Sequence, residues 1–199
     1  MWWARLLNNV AAILNSGVAP AVGDYESIMT STVGSGGASS ITFSVIPSTY
    51  KHLQIRLLAQ TNRGTYGIDQ MYMRFNGDSG SNYSWHGVIG QGSGTPVTSA
   101  NATQTLIQVG DGSIGTTTGG TFGAGVVDIL DYGNTSKYKT LRSLTGVDIN
   151  GTIAGYGGWI ALNSGLWQST SAISSIVITP AVGSLFAQYS HFALYGIKG

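Results

Sequence analysis

From Ile41 onward, segments in which apolar and polar residues alternate recur about every ten residues, each closed by glycine, asparagine, serine or proline. Alternation with a period of two puts every second side chain on one face of an extended chain. A chain built of such short pieces buries its apolar faces by pairing strands into sheets and packing the sheets together. In KHLQIRLLAQ, Leu53, Ile55, Leu57 and Ala59 share one face, while His52, Gln54 and Arg56 share the other. MYMRF repeats the pattern, with Met71, Met73 and Phe75 opposite Tyr72 and Arg74. Asn76-Gly77 follows directly, and both residues tolerate the positive φ of a type I′ turn, so the sequence predicts a hairpin returning along Asn82 to Gly90.

Further strands are predicted over Ile41 to Ile46, Thr103 to Val109, Gly125 to Tyr132, Tyr138 to Val147, Gly158 to Asn163, Ile173 to Pro180 and the C-terminal SHFALYGIKG. Gly133-Asn134 reads as a reverse turn between two of them. The expectation is an all-β domain of about nine strands, an antiparallel β-sandwich. A jelly roll is its simplest arrangement and a closed barrel the alternative. The stretches around 91–102 and 111–125 read as long glycine-rich loops, since 30 glycines are too many for strand interiors.

Residues 1–17, MWWARLLNNVAAILNSG, follow a different rule. Trp3, Leu6, Leu7, Val10, Ile13 and Leu14 recur at three-and-four spacing, with Asn8, Asn9 and Asn15 off the stripe and Gly17 placed to end a helix. A short amphipathic helix is therefore expected over 1–17, a linker over 18–24 and the sandwich over 25–199. A helix of this length is not stable alone in water, so its stripe needs a partner. Two partners fit: its own sandwich, or another chain.

The 199 residues are enough for one sizeable core. Charged residues make up only 9% and the net charge is +1, with the basic residues scattered, which argues against nucleic acid as a partner. Cysteine is absent, so disulfides, thiolate metal sites and a thiol nucleophile are excluded together. No run reaches the roughly 18 apolar residues of a membrane span, and residues 1–17 lack the layout of a secretory signal. The chain is expected to be soluble, made inside a cell and without membrane contact.

Residues that could carry chemistry are few. Asp128 and Asp131 are close in sequence but three apart on a strand, hence on opposite faces; with Asp148 they are the only carboxylates that would motivate a glycosidase. His52, His86 and His191 lack metal-ligand spacing. FNGDSGSN mimics part of a calcium loop without its alternating acids or terminal glutamate, so a turn is the better account. GDGSIG and GQGSG lack the lysine of a phosphate-binding loop, and no G-x-S-x-G elbow occurs. No cofactor is expected. Ten tyrosines and five tryptophans in so uncharged a chain suit protein or sugar contacts. Tyr66, Trp85, Tyr156, Trp159 and Trp167, which stand beside glycine or loop stretches, are the candidate surface contacts.

YESIMTSTVGSGGASSITFSVIPSTYKHLQIR, MRFNGDSGSNYSWH, VDILDYGNTSKYKTLRS, SGLWQSTSAISSI and QYSHFALYGIKG, in this order, resemble small structural proteins of tailed bacteriophages. The resemblance covers Tyr25 to Gly199, is weakest over Gln91 to Ala124 and leaves out Met1 to Gly23. It implies a β-sandwich on the exterior of a virion, as capsid decoration (a cement protein) or in a tail fibre, and it supplies no catalytic residues. The expected function is therefore that of a non-enzymatic virion protein, assembled in the host cytoplasm as a homotrimer. Trp2, Trp3, Leu6, Leu7, Val10, Ile13 and Leu14 would anchor it to capsid or tail proteins or among sister subunits. A receptor-binding tail-fibre or lectin-like module recognising host glycan is the alternative, and a polysaccharide depolymerase using the three aspartates ranks third.

Overall fold

The computed structural model describes residues 23–64, 66–91, 95–115, 120–153 and 156–199; the side chains of 111–115, 151–153 and 156 fall outside the description. The helix expected over 1–17, the first part of the linker and the tips of both glycine-rich stretches lie outside the described residues. What is described is all-β, with no helix among the described residues. Eight strands form one antiparallel layer in the order β1 (Tyr25–Thr32), β12 (His191–Ile197), β3 (His52–Thr61), β8 (Gly123–Leu130), β9 (Lys139–Ile153), β10 (Tyr156–Trp167), β5 (Tyr83–Gly90), β6 (Val97–Gln104). Four more form a second antiparallel layer in the order β2 (Ile41–Phe43), β11 (Ile176–Pro180), β4 (Asp69–Phe75), β7 (Ile107–Gly115). A two-residue parallel pairing of Gln60 and Thr61 with Ile114 and Gly115 joins the layers at one corner.

The alternation read from the sequence is the alternation of burial. Leu53, Ile55, Leu57 and Ala59 of β3 face inward, as do Met71, Met73 and Phe75 of β4. With Val127, Ile129, Phe192 and Leu194 from the large layer and Ile176, Ile178, Ile107 and Val109 from the small one, they make a single core between the layers. Each such side chain contributes about 1.5–3 kcal/mol by leaving water. The result is a β-sandwich-like fold. The layers approach closely where β7 crosses β10: a Cβ on Gly165 would stand 2.5 Å from Ile107 Cγ2, so only glycine fits there.

Several expectations need correction. Asn76 and Gly77 do adopt positive φ (52° and 67°), and Asp78 N–H donates to the Phe75 carbonyl at 2.9 Å. Yet the strand that follows does not return along β4. β4 pairs with β11 and β7, whereas β5 pairs with β10 and β6, so this tight turn carries the chain from one layer to the other. Asp78 and Tyr83 make the crossing rigid: Asp78 accepts from Gly80 N–H (2.8 Å), Asn82 Nδ2 (3.0 Å) and Trp167 Nε1 (2.7 Å), and Tyr83 Oη accepts from Phe75 N–H (3.2 Å). The reverse turn at Gly133-Asn134 is present, closed by Asn134 N–H to the Asp131 carbonyl, and it links β8 and β9, which do pair. Twelve strands are described where about nine were expected. The segment Thr103 to Val109 is divided between β6 and β7, and β6 occupies the second half of the first presumed loop.

Lys139 is buried to 1% exposure at the start of β9. Its ammonium group donates to three carbonyls, of Asn134 (2.6 Å), Lys137 (3.0 Å) and Thr170 (3.2 Å), and so ties the β8–β9 turn to the loop after β10. Burial holds its pKa below the ordinary lysine value.

Candidate docking face

The outer face of the eight-stranded layer is not used by the core, and the strand register fixes what it displays. One row runs through Tyr195, Gln54, Asp128, Arg142, Ser164, His86 and Ala100, which are consecutive partners across seven strands. From Tyr195 to His86 this row is polar, and Gln54, Asp128 and Arg142 pair within it. Gln54 Nε2 donates to Asp128 Oδ1 (2.7 Å), Arg142 Nε donates to Asp128 Oδ2 (3.2 Å) and Arg56 Nε donates to Gln54 Oε1 (3.1 Å). Tyr25, at the start of β1, donates to Gln54 and stacks on Tyr195 at 4.8 Å, with the Arg56 guanidinium 5.3 Å and 5.8 Å from the two rings. Burial pushes the Tyr25 phenol pKa up, against the pull of Arg56.

The next row is Arg56, Val126, Leu144, Leu162, Val88 and Thr98, again in direct register. The row beyond it adds Leu58, Ala124, Gly146 and Ile160. Leu144 is 46%, Leu162 52% and Ile160 58% exposed, where a solvated sheet face would carry polar side chains. Two shallow depressions of about 660 Å³ and 540 Å³ lie along these rows. His86, Gly87, Val88 and Leu162 line the first, and Val126, Leu144, Gly146 and Ile160 the second. An aliphatic stripe without aromatic rings offers a sugar no stacking surface, but it fits an apolar protein segment well.

The candidate contact aromatics divide. Trp85 and Trp167 are buried in the core, Trp167 beside Phe75 and Tyr83, so neither is available at the surface. Tyr66 and Trp159 both line a cavity of about 310 Å³, with Arg63, Ile68, Asp69 and Gln70. There Arg63 lies 4.3 Å from the Tyr66 ring centroid. The Tyr156 side chain and the anchor residues Trp2, Trp3, Leu6, Leu7, Val10, Ile13 and Leu14 fall outside the described residues.

The three aspartates are held apart from one another in role. Asp128 belongs to the polar row; Asp131, just past β8, pairs with Lys51 at 2.9 Å and with Lys137; Asp148 Oδ1 accepts from Asn150 N–H at 2.8 Å. The two lysines hold the Asp131 carboxyl down to about 2. His52 Nδ1 accepts from Asp131 N–H, and His191 Nδ1 meets Thr32 Oγ1 at 2.9 Å. Among the described residues no three histidine, aspartate or glutamate side chains converge to hold a metal ion.

The sequence reading missed the aliphatic rows, although a signal for them exists. In LRSLTGV and GWIALN, apolar residues occupy both parities of the strand, Leu141 and Ala161 facing inward and Leu144, Ile160 and Leu162 outward. A strand apolar on both faces has both faces covered.

No protein-family model matches the chain, and no curated protein matches it. Among solved structures, Scytalido-glutamic peptidase has a TM-score of 0.29 at 8% identity over 80% of this chain and 64% of that one. The marine PL-14 alginate lyase from Aplysia kurodai has a TM-score of 0.29 at 9% identity over 84% and 80%. A GH43 glycoside hydrolase has a TM-score of 0.34 at 11% identity over 90% and 36%. This chain thus spans less than two thirds of the peptidase and of the glycoside hydrolase. At these TM-scores neither a fold nor an activity carries over.

Proposed function

We propose that this chain is a non-enzymatic structural protein of a tailed-phage virion, a capsid-decoration (cement) or short-fibre subunit, that docks through apolar contact. The observation that carries the docking is the aliphatic row Val126, Leu144, Leu162 and Val88, the last three exposed, beside a row in which Gln54, Asp128 and Arg142 are already paired. The virion setting rests on the resemblance of the runs that make β1 to β5, β8, β9 and β12. The strand order favours a jelly roll: the orders β1, β12, β3, β8 in one layer and β2, β11, β4, β7 in the other follow that arrangement, with the hairpins β9–β10 and β5–β6 extending the first layer beyond β8. In this reading a homotrimer adds weak apolar contacts together on a repeating lattice.

Incorporation into particles tests the proposal. Leu144→Asp combined with Leu162→Asp leaves the fold intact and reduces the amount of chain retained on purified particles at least tenfold. Undiminished retention of the double variant overturns the docking role of the face.

A receptor-binding role is the second reading, favoured by the cavity that Tyr66 and Trp159 line together with Arg63 and Gln70. Aromatic rings next to amide and guanidinium donors suit a saccharide. Binding of the oligomeric chain to a host-glycan array, lost in Tyr66→Ala, supports it; no signal from any glycan rejects it.

A further inference from the structure

We infer that the outer face of the eight-stranded layer pairs with the same face of a second copy of this chain, about a twofold axis that crosses β9 at Thr145. The pairing rests on the register and charge of the described strands and goes beyond the virion reading.

Along β9 the outward positions are Arg142, Leu144, Gly146 and Asp148: a cation and a carboxylate with a large and a small residue between them. Arg142 and Asp148 are separated by about 20 Å at ~3.4 Å per residue, with Thr145 midway. A twofold axis lying between the two faces at Thr145, perpendicular to the strands, sets β9 antiparallel over its own copy. It brings Arg142 over the copy's Asp148 and Leu144 over the copy's Gly146, and each contact occurs twice. Only an axis at Thr145 opposes these two charges; moved to Arg142, it sets two guanidinium groups together.

The neighbouring strands obey the same operation. On β8 it places Val126 over the copy's Ala124, and on β10 Leu162 over the copy's Ile160. Leu144 and Val126 thereby enter the depression of about 540 Å³ that Ala124, Gly125 and Gly146 line, so a protrusion meets a hollow. The charged groups also have a side to offer. Arg142 gives Asp128 its Nε at 3.2 Å while its side chain stays 69% exposed, and the exposed Asp148 gives Asn150 N–H its Oδ1 at 2.8 Å. The guanidinium fork and the second carboxylate oxygen remain for a partner. Sheets stacked face to face stand ~10 Å apart, a gap that an arginine and an aspartate side chain close between them.

From β3 to β5 the face spans four strand spacings, about 19 Å, so the footprint is roughly 400 Å² per copy, about half that of a standard stable interface. The pair is therefore weak, with a Kd of about 10–100 μM. One face cannot hold a particle and a copy at once, so a free pair parts before it docks.

Sedimentation equilibrium of the full chain from about 1 to 500 μM tests the pairing. The expected mass rises to two chains, or to six where the pair joins two trimers. A mass that stays at one chain, or at three, over the whole range overturns it. The charges are read in an Asp128→Asn background, which removes the carboxylate beside Arg142 in its own chain. Adding Asp148→Lys weakens association at least tenfold, because like charges then face each other across the axis. Adding Arg142→Glu to that variant restores association to within about threefold, since the reversed pair is again complementary. Association that ignores Asp148→Lys, or that the second reversal leaves weak, contradicts the proposal. Retention on particles by a chain that never pairs keeps the docking role and removes the pair; pairing by a chain absent from particles does the opposite.

Discussion

Replacing Asp78 by alanine removes the carboxylate that joins the layer crossing to the core. Its Oδ2 accepts from Trp167 Nε1 at 2.7 Å and from Asn82 at 3.0 Å, and its Oδ1 accepts from Gly80 N–H. Trp167 is buried, so its indole N–H finds no water when the acceptor goes. A hydrogen bond to a charged group is worth about 1.5–3 kcal/mol, while Gly80 and Asn82 sit near solvent and recover most of theirs. The expected loss is about 3 kcal/mol, which for a domain of this size lowers Tm by roughly 6–12 °C. Urea denaturation of Asp78→Ala, Trp167→Phe and the double variant measures it as a cycle. The Asp78→Ala cost should shrink by about 1.5–3 kcal/mol when the indole is already absent. Equal costs in both backgrounds, within about 0.5 kcal/mol, would refute the reasoning. Calcium should leave the wild-type Tm unchanged, since the carboxylate is committed to protein donors.

Other changes test other parts of the fold. Gly165→Ala places a methyl group 2.5 Å from Ile107 Cγ2 and 3.1 Å from Leu141 Cγ, and should cost about 1–3 kcal/mol in urea unfolding. Thr145→Val should stabilise by about 1 kcal/mol, because the Thr145 hydroxyl is buried with no hydrogen-bond partner. A loss of stability instead would show that this hydroxyl is satisfied in solution. Asp131 has its carboxyl lowered to about 2 by Lys137 and Lys51, so its contribution is complete above the unfolded value of 3.8 and is lost as pH falls from about 4 toward 2. Asp131→Asn should flatten the Tm profile in that window only. The double aspartate variant at Leu144 and Leu162, which are direct cross-strand partners, should cost about 1 kcal/mol in urea unfolding from like charges set opposite each other, well short of unfolding the domain.

The core was legible because burial and alternation are the same fact in β4 and in most of β3. Layer assignment was not. Asn76-Gly77 specifies a tight turn with positive φ, but nothing local says whether the next strand stays in the same sheet; the Asp78 and Tyr83 contacts that decide it are tertiary. β6 was hidden by its composition, VTSANATQ, whose mostly exposed edge position needs no apolar alternation. The docking face was half legible: Leu144, Ile160 and Leu162 were on the page as strand residues, but their alignment into one row depends on the register of β8, β9, β10 and β5. Trp85 and Trp167 looked like surface aromatics beside glycines, yet those glycines are strand residues: Gly87 makes room for Asn163 in the same layer and Gly165 for Ile107 of the other.

The central claim, a structural subunit of a virion, is tested most directly by quantitative mass spectrometry of salt-washed particles produced by the genome that encodes this chain. The account predicts a fixed number of copies per particle, in constant ratio to the major capsid or tail subunits. Absence of the chain from washed particles, or a ratio that varies between preparations, would contradict it.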